Sequence, residues 1–218
     1  MKWMNTIIKY RLWIGVVFLV IAIFVNIQTS FWPSFILYLI AVVLIFGHFF
    51  FGPMRLIQTA MEEGNMEEAT KIVNGIKFPG LLFKPVRSVY YTIKGNLAMA
   101  GNNLEEAELH MKKSLSLGGG SLTKQAEGPS KLQLGMITMQ KGNMKQAEVY
   151  IREAIRAGLP DKENNAAAYL QLCSIMMQKR EFRMAKEYFK KAKGYKPTTP
   201  QIVDQIKQIE KYITRMPG

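Results

Sequence analysis

The longest uncharged segment of this sequence covers residues 12–54, where 43 consecutive positions carry no Asp, Glu, Lys or Arg. Every acidic residue follows it, beginning with Glu62, so polarity is segregated along the chain rather than mixed. A helix needs roughly 20 apolar residues to cross the hydrocarbon core of a bilayer. The segment is too long for one such helix and long enough for two. It therefore predicts a membrane hairpin joined to a soluble part.

Polar residues in the middle of this segment mark the break between two helices: Asn26, Gln28, Thr29, Ser30, Pro33 and Ser34. We therefore predict transmembrane spans near residues 10–27 and 32–51, within an N-terminal hairpin region of residues 1–53. The three Trp residues all fall within the first 32 positions, and such rings favour the membrane interface.

Positive charge flanks the uncharged segment, with Lys9 and Arg11 before it and Arg55 after it. The predicted turn between the spans carries no charge. Because cytoplasmic flanks are enriched in Lys and Arg, both termini and the region after residue 54 are expected in the cytoplasm. The two-span arrangement without a targeting peptide favours a bacterial inner membrane.

A short pattern recurs four times after residue 54 and closes each time on an Ala: Ala69, Ala107, Ala147 and Ala185. The closing Ala residues are separated by 38, 40 and 38 positions. Each copy starts with Gly-Asn or an equivalent pair, which ends one helical stretch and begins another. Apolar residues around the pattern recur at helical spacing, and no alternating strand pattern is present. An all-α chain of repeated helix-turn-helix units is predicted.

These units resemble the tetratricopeptide repeat (TPR), whose two helices pack through small residues at Gly and Ala positions. In the best-matching copy, Cys173 occupies the Gly position, and the other family positions are Tyr169, Leu172, Met176, Ala185, Phe189, Ala192 and Pro197. The resemblance covers about residues 54–197, with three clear repeats and one degenerate copy. It implies an α-solenoid, because single units cannot bury their apolar faces alone and at least three must stack.

A final helix is predicted in residues 198–218, where Thr199 can be the N-cap and Pro200 the first helical residue. Its apolar residues recur at helical spacing: Ile202, Val203, Ile206, Ile209 and Ile213. We expect it to cap the last repeat. At the other end, Gly52-Pro53 is the sole joint between the second span and the repeats, so the array is expected close to the membrane.

The resemblance also implies a concave groove lined by the first helix of each repeat. Carrying the groove positions over gives Thr92, Asn96, Met99, Leu132, Met136, Met139, Leu170, Ser174 and Met177. Family members that capture a peptide carboxylate use Lys, Arg and Asn there, and Asn96 alone fits that pattern. An apolar, Met-rich groove instead predicts binding of an amphipathic helix or an extended peptide. The alternative is a groove filled by the protein's own C-terminal helix.

Residues 55–218 contain 26 basic and 16 acidic side chains, a net charge of +10. Eight of these basic residues lie between positions 179 and 196, and we define the candidate basic face as Arg183, Lys186, Lys190 and Lys193. Such a face is either simply solvated, or attracted to anionic lipid headgroups or to an acidic protein. Nucleic acid is disfavoured because no base-stacking or groove-reading motif accompanies the charge.

Enzyme chemistry has no sequence support, since no phosphate-binding loop, nucleophile elbow or metal-ligand cluster is recognisable. We expect no catalytic residue, no cofactor and no metal. Cys173, at a packing position, is expected to be buried and unreactive. His48, in the second predicted span, is expected to be a neutral residue near the interface.

The leading functional hypothesis is a membrane-anchored cytoplasmic scaffold that binds a protein partner in the Met-rich groove. The alternative is a small accessory subunit of a membrane transport or secretion complex, whose transmembrane hairpin carries the recognition.

Overall fold

A computed structural model describes residues 2–28, 31–51, 54–118 and 124–214 of this chain. These residues form eleven α-helices and one 3-10 turn, and no β-strand occurs among them. The predicted all-α, repeat-type fold is confirmed. The chain divides into two compact units, Met1–Tyr90 and Tyr91–Gly218.

The first unit begins with two long helices, α1 (Lys2–Gln28) and α2 (Phe31–Phe51), which pack against each other. The Arg11 guanidinium, near the start of α1, donates a hydrogen bond to the Gly47 carbonyl, near the end of α2. This bond places opposite ends of the two helices at one level, so the pair is antiparallel. The turn at residues 29–30 lies outside the described residues.

Small residues line the contact between α1 and α2, where Gly15, Ala22, Ser34 and Ala41 are buried. A Cβ on Gly15 would lie 2.9 Å from Ile45 Cγ1, so only a glycine permits this approach. The opposite surfaces of both helices expose large apolar side chains, among them Trp13, Val20, Phe24, Ile36 and Val43. Small residues inside and large apolar residues outside are typical of helices that pack within lipid.

One stretch of α1, Tyr10–Gln28, is long and apolar enough to cross a membrane. The apolar part of α2 within the described residues, Ser34–His48, is shorter than the roughly 20 residues that a span needs. The structure therefore supports one of the two predicted spans by length and composition. The second span, near residues 32–51, stays a prediction.

Two short helices follow, α3 (Met54–Glu62) and α4 (Met66–Asn74), and they pack together as a hairpin. Helix α3 also contacts α1. A 3-10 turn at Pro79–Leu81 then leads into α5 (Lys84–Ala100), which begins in the first unit and continues in the second. The expected joint at residues 52–53 lies outside the described residues.

The second unit contains the rest of α5 and six further helices. They are α6 (Leu104–Leu117), α7 (Lys124–Gln140), α8 (Met144–Ala157), α9 (Lys162–Gln178), α10 (Phe182–Gly194) and α11 (Pro200–Ile213). Helices α7 and α8 form one helical hairpin and α9 and α10 form the next. A hydrogen bond between the Thr92 and Ser114 hydroxyls, 2.7 Å apart, joins α5 to α6 in the same way.

The four turns predicted from the repeated pattern share one backbone feature. The residue five positions before each closing Ala has a positive φ, with 74° at Gly64, 58° at Asn102, 84° at Gly142 and 61° at Arg180. Glycine adopts this left-handed conformation freely, whereas a side chain makes it costly. Asn102 tolerates this conformation better than most residues do, so Arg180 is the most strained member of the set.

The next residue in each turn starts the second helix of the hairpin. Asn65, Asn103 and Asn143 each accept a hydrogen bond from a backbone N–H three residues later, at 3.1, 3.2 and 3.2 Å. Their side-chain NH₂ groups also donate to the side chain of the residue at that third position, so each Asn makes two hydrogen bonds to that residue. In the fourth turn, the Glu181 side chain makes no cap hydrogen bond.

Close approach within each hairpin depends on a small residue in its first helix. A Cβ on Gly135 would lie 2.6 Å from Ile151 Cγ1, and a Cβ on Gly95 would lie 3.0 Å from Met111 Cε. Cys173 takes this position in the last repeat and is fully buried, as expected. Burial raises the pKa of its thiol to about 11, so we expect little reactive thiolate at neutral pH.

Helix α11 covers the last repeat as predicted, with Ile206 and Ile213 buried in the same apolar cluster as α9 and α10. Thr199 is its N-cap residue, but the Thr199 side chain makes no cap hydrogen bond. Instead the Glu163 carboxylate of α9 accepts hydrogen bonds from the Thr198 N–H at 2.7 Å and the Thr199 N–H at 3.3 Å. The cap of α11 is thus supplied by the repeat that it covers.

Candidate protein-binding face

The nine predicted groove residues all lie in the second unit, on α5, α7 and α9, and they separate into two groups. The first group contains the first groove residue of each helix, and its side chains contact other parts of the fold. Thr92 bonds to Ser114, while Leu132 and Leu170 are only 3% and 1% exposed. Leu132 and Leu170 therefore offer little surface to a partner, whereas Thr92 is half-buried and engaged by its hydrogen bond.

The other six residues are half-buried: Asn96, Met99, Met136, Met139, Ser174 and Met177. Met136, Met139 and Met177 pack on the apolar cluster formed by α7 to α11, while Met99 packs on the cluster that joins α6 to α7. Each thioether therefore rests on the core with part of its surface open. Methionine in this setting can repack against differently shaped apolar partners. We call these six residues the Met-rich face.

Asn96 is the polar residue of the Met-rich face on α5. Its Oδ1 atom is buried and has no hydrogen-bond partner within the described chain. A buried acceptor left unpaired costs about 1–3 kcal/mol. Because the Oδ1 atom is buried, a partner could donate to it only after the Asn96 side chain rotates outward.

The candidate basic face lies on α10, opposite the buried side formed by Ala185 and Phe189. Arg183 and Lys190 are exposed and Lys186 is half-buried. The ammonium of the fourth residue, Lys193, lies 2.6 Å from Glu210 Oε1 of α11. The Lys193 charge is therefore partly neutralised within the protein.

An aromatic cluster beside this face was not predicted as a unit. Tyr169 stacks on Tyr188 and Tyr195, with ring centroids 6.1 and 5.8 Å apart, and Lys191 Nζ lies 5.7 Å from the Tyr169 ring centroid. Burial raises the pKa of Tyr169, and the neighbouring Tyr195 adds to the rise. In the sequence, Tyr169 was recognisable only as the large aromatic residue of the repeat.

Titratable side chains do not gather into a metal-binding group in the part of the chain that the structure describes. No group of three His, Cys, Asp or Glu residues there could hold a metal ion. His110 stacks on Tyr91 with centroids 5.8 Å apart, and its Nε2 lies 3.2 Å from Glu106 Oε1. These contacts give His110 a packing role between α5 and α6.

Comparison with known proteins identifies two of the repeats. Residues 129–157 and 166–199, within the α7–α8 hairpin and the α9–α10 hairpin with its following turn, match the tetratricopeptide repeat family model. No curated protein matches the sequence.

Two crystal structures have a similar fold. One is the APC/C hetero-tetramer Cut9–Hcn1, at a TM-score of 0.59 and 15% identity, where the similarity covers 88% of this chain and 36% of that chain. The other is BtubC (BKLC) from P. vanneervenii, at a TM-score of 0.55 and 12% identity, covering 94% of this chain and 83% of that one. Identities this low show the fold alone. The chain therefore has a TPR-like helical-repeat fold, and two of its repeats match that family directly.

Proposed function

We propose that this protein is a membrane-anchored scaffold that binds a protein partner on the Met-rich face of its repeats. The α1–α2 hairpin would hold it in the membrane, with both termini and the repeats in the cytoplasm. A bacterial inner membrane fits the two-span arrangement best. The partner segment would be an amphipathic helix or an extended peptide.

The proposed membrane anchor is supported by the arrangement of side chains on α1 and α2. Both helices lack acidic residues and bury small residues between them, while their outer surfaces expose Trp, Phe, Val and Ile. In water, an apolar surface of this extent marks an interaction site or an aggregation hazard. In a bilayer, the same surface is the one that faces lipid.

The Met-rich face supports the binding role. It places three half-buried methionines, Met136, Met139 and Met177, above one apolar cluster. Apolar contact area of this kind gives affinity for a peptide or a helix. One structural neighbour belongs to a hetero-tetramer, which is an assembly role of the kind proposed here.

The anchor is tested by expressing the full chain and washing the isolated membranes with alkaline carbonate. We expect the protein to stay in the membrane pellet, and release into the wash would contradict the anchor.

A second experiment exchanges residues 1–53 for an unrelated two-span hairpin and tests whether this region only anchors the protein or also recognises partners. A scaffold keeps its partners after the exchange, whereas an accessory subunit recognised through its hairpin loses them.

The face is tested by crosslinking in native membranes with Met136→Glu and Met177→Glu combined. We expect this double variant to lose its crosslinked partners while its circular dichroism and melting temperature stay close to those of the parent. A Met→Gln pair at the same positions keeps side-chain length and guards against unfolding. The control is Val149→Glu, a substitution at an exposed position of α8 outside this face. If both double variants retained every partner, binding of partners at the Met-rich face would be refuted.

A further inference from the structure

Residues 78–83, between α4 and α5, expose large apolar side chains at three of their six positions. Phe78 is 66% exposed, Leu81 is 54% exposed and Phe83 is 42% exposed. Single exposed apolar residues are common on protein surfaces, but a contiguous set marks an interaction site. We call residues 77–84 the apolar loop.

The apolar loop has a defined conformation. Backbone hydrogen bonds from Leu81 N to Phe78 O (3.1 Å) and from Leu82 N to Pro79 O (3.3 Å) close the 3-10 turn. The Arg87 guanidinium of α5 donates to the Gly80 carbonyl at 3.2 Å, and Leu82 is buried beneath the turn. Exposure of the remaining apolar side chains is therefore a property of the folded turn.

Within the first unit, the chain returns after α4 to the level at which α2 ends, so the apolar loop lies near that level. Helices α3 and α4 have nine residues each, about 14 Å of helix, and form an antiparallel hairpin through the turn at Gly64-Asn65. The end of α4 thus lies level with the start of α3, two residues after α2. Contact between α3 and α1 places this level near the ends of the membrane hairpin.

The sequence on both sides of the apolar loop carries charge of one sign. From residue 69 to residue 104 there is no acidic side chain, while five basic ones occur, two of which, Lys77 and Lys84, bracket the loop. Aromatic and aliphatic side chains flanked by Lys are the composition that enters the headgroup region of a membrane. Basic residues near the cytoplasmic leaflet are attracted to its anionic lipids.

We infer that the apolar loop is a second membrane contact, which inserts Phe78, Leu81 and Phe83 into the interface of the anionic leaflet from which the repeats emerge. This inference rests on the proposed membrane anchor. The hairpin would fix the chain in the bilayer, and the loop would fix the orientation of the first unit on the bilayer surface. The occupant of this surface is therefore lipid and not a protein partner.

The test places an environment-sensitive NBD fluorophore on the loop of the full chain. Leu81→Cys is introduced in a Cys173→Ala background, labelled, and reconstituted into vesicles of phosphatidylcholine with phosphatidylglycerol. The matched control is Leu109→Cys in the same background, because Leu109 is an equally large aliphatic residue, 63% exposed, with Glu105 and Glu108 close by in α6. Nitroxide-labelled lipids report contact with the headgroup region.

We expect a blue-shifted emission and several-fold stronger nitroxide quenching at position 81 than at position 109. Lys77→Gln with Lys84→Gln, or vesicles without phosphatidylglycerol, should reduce the quenching. Water-like emission at position 81 in protein that floats with the vesicles would overturn the inference and leave the anchor intact. Blue-shifted emission without lipid quenching would also overturn it, because the loop would then be covered by protein. Failure of the chain to float would refute the anchor itself and this inference with it.

Discussion

Lys141 Nζ lies 2.7 Å from Glu108 Oε2 and joins the second helix of one repeat to the end of the first helix of the next. The same contact recurs one repeat later between Lys179 and Glu148. Each carboxylate also pairs with a basic residue four positions on, Lys112 or Arg152. The same arrangement of three charges, one Glu and two basic residues, therefore occurs at each of the two interfaces between successive repeats in the second unit.

This network gives the second unit a pH-dependent stability. Hydrogen bonds from Lys112 and then Lys141 hold the pKa of Glu108 below its usual range. Burial alone would raise the pKa of Glu148, but hydrogen bonds from Lys179 and Arg152 outweigh it and lower that pKa too. A carboxyl whose folded-state pKa is depressed stabilises the fold above its unfolded pKa, about 4.3 for Glu, and loses this effect as pH falls through the folded value.

We predict that Glu108→Gln with Glu148→Gln lowers the free energy of unfolding at neutral pH by about 1 kcal/mol, the scale of partly exposed ion pairs. The difference from the parent should shrink as pH falls below about 4, because the parent's carboxylates become protonated there. Urea unfolding of the full chain in detergent across this pH range measures both effects. Glu187→Gln, at an exposed position of α10, is the control. A difference in the free energy of unfolding that stayed constant at all pH values would contradict a stabilising role for the two carboxylates.

Gly135 provides a test of helix contact within a repeat. An added Cβ would meet Ile151 Cγ1 at 2.6 Å and the Ala147 carbonyl at 3.3 Å. Overpacking of this kind costs about 1–3 kcal/mol, and the better helix propensity of Ala returns up to about 1 kcal/mol. Gly135→Ala is therefore expected to lower the free energy of unfolding by about 1 kcal/mol. Gly194→Ala, where a Cβ meets no atom within 4 Å, should be neutral or slightly stabilising.

Thermal unfolding of the two glycine variants under identical conditions decides this prediction. If Gly135→Ala melts at or above the temperature of Gly194→Ala, close helix contact at Gly135 is not limiting.

The repeated turns explain why so much of the fold could be predicted from the sequence. Gly-Asn is a strong local signal because its glycine supplies the positive φ and its asparagine caps the next helix. Three of the four turns have Gly-Asn or the similar Asn-Asn at these positions, so the boundaries of the helices around them could be predicted. The Glu163 cap of α11 was not readable, because it joins residues 35 positions apart that only folding brings together.

The burial of the groove residues could not be predicted from the sequence, for a related reason. Family positions specify which helix face a residue occupies, but neighbouring repeats determine how deeply it is buried. Leu132 and Leu170 occupy groove positions in the pattern and are nevertheless part of the core. The unpaired Asn96 acceptor and the inter-repeat ion pairs likewise depend on contacts that a linear pattern does not contain.

The fourth turn offers a stabilising substitution. Arg180 has a φ of 61°, where the equivalent residue in two other turns is glycine. A left-handed conformation costs an L-residue about 1–2 kcal/mol, and the greater chain entropy of unfolded glycine offsets about 0.4–1 kcal/mol of that. Arg180→Gly should therefore raise the free energy of unfolding by up to about 1 kcal/mol.

The converse change is Gly142→Ala, which forces a side chain into a φ of 84° and should be destabilising by a similar amount. Arg180→Ala is the control, because it removes the Arg side chain and keeps the backbone conformation. Differential scanning calorimetry compares the three variants. A melting temperature for Arg180→Gly below that of Arg180→Ala would contradict the strain assigned to this turn.

Cys173 reports on the integrity of the last repeat. Its thiol is fully buried, and burial raises its pKa to about 11, so the reactive thiolate is scarce at pH 8. Ionisation alone should slow its reaction with a disulfide reagent by about a hundredfold relative to an ordinary cysteine, and burial should slow it further. A Leu109→Cys variant carries an exposed thiol on the same chain and provides the reference rate. We expect the exposed thiol to react at once and Cys173 to react only as urea unfolds the α9–α10 hairpin. Equal rates for both thiols in native protein would mean that the last repeat opens far more readily than its packing implies.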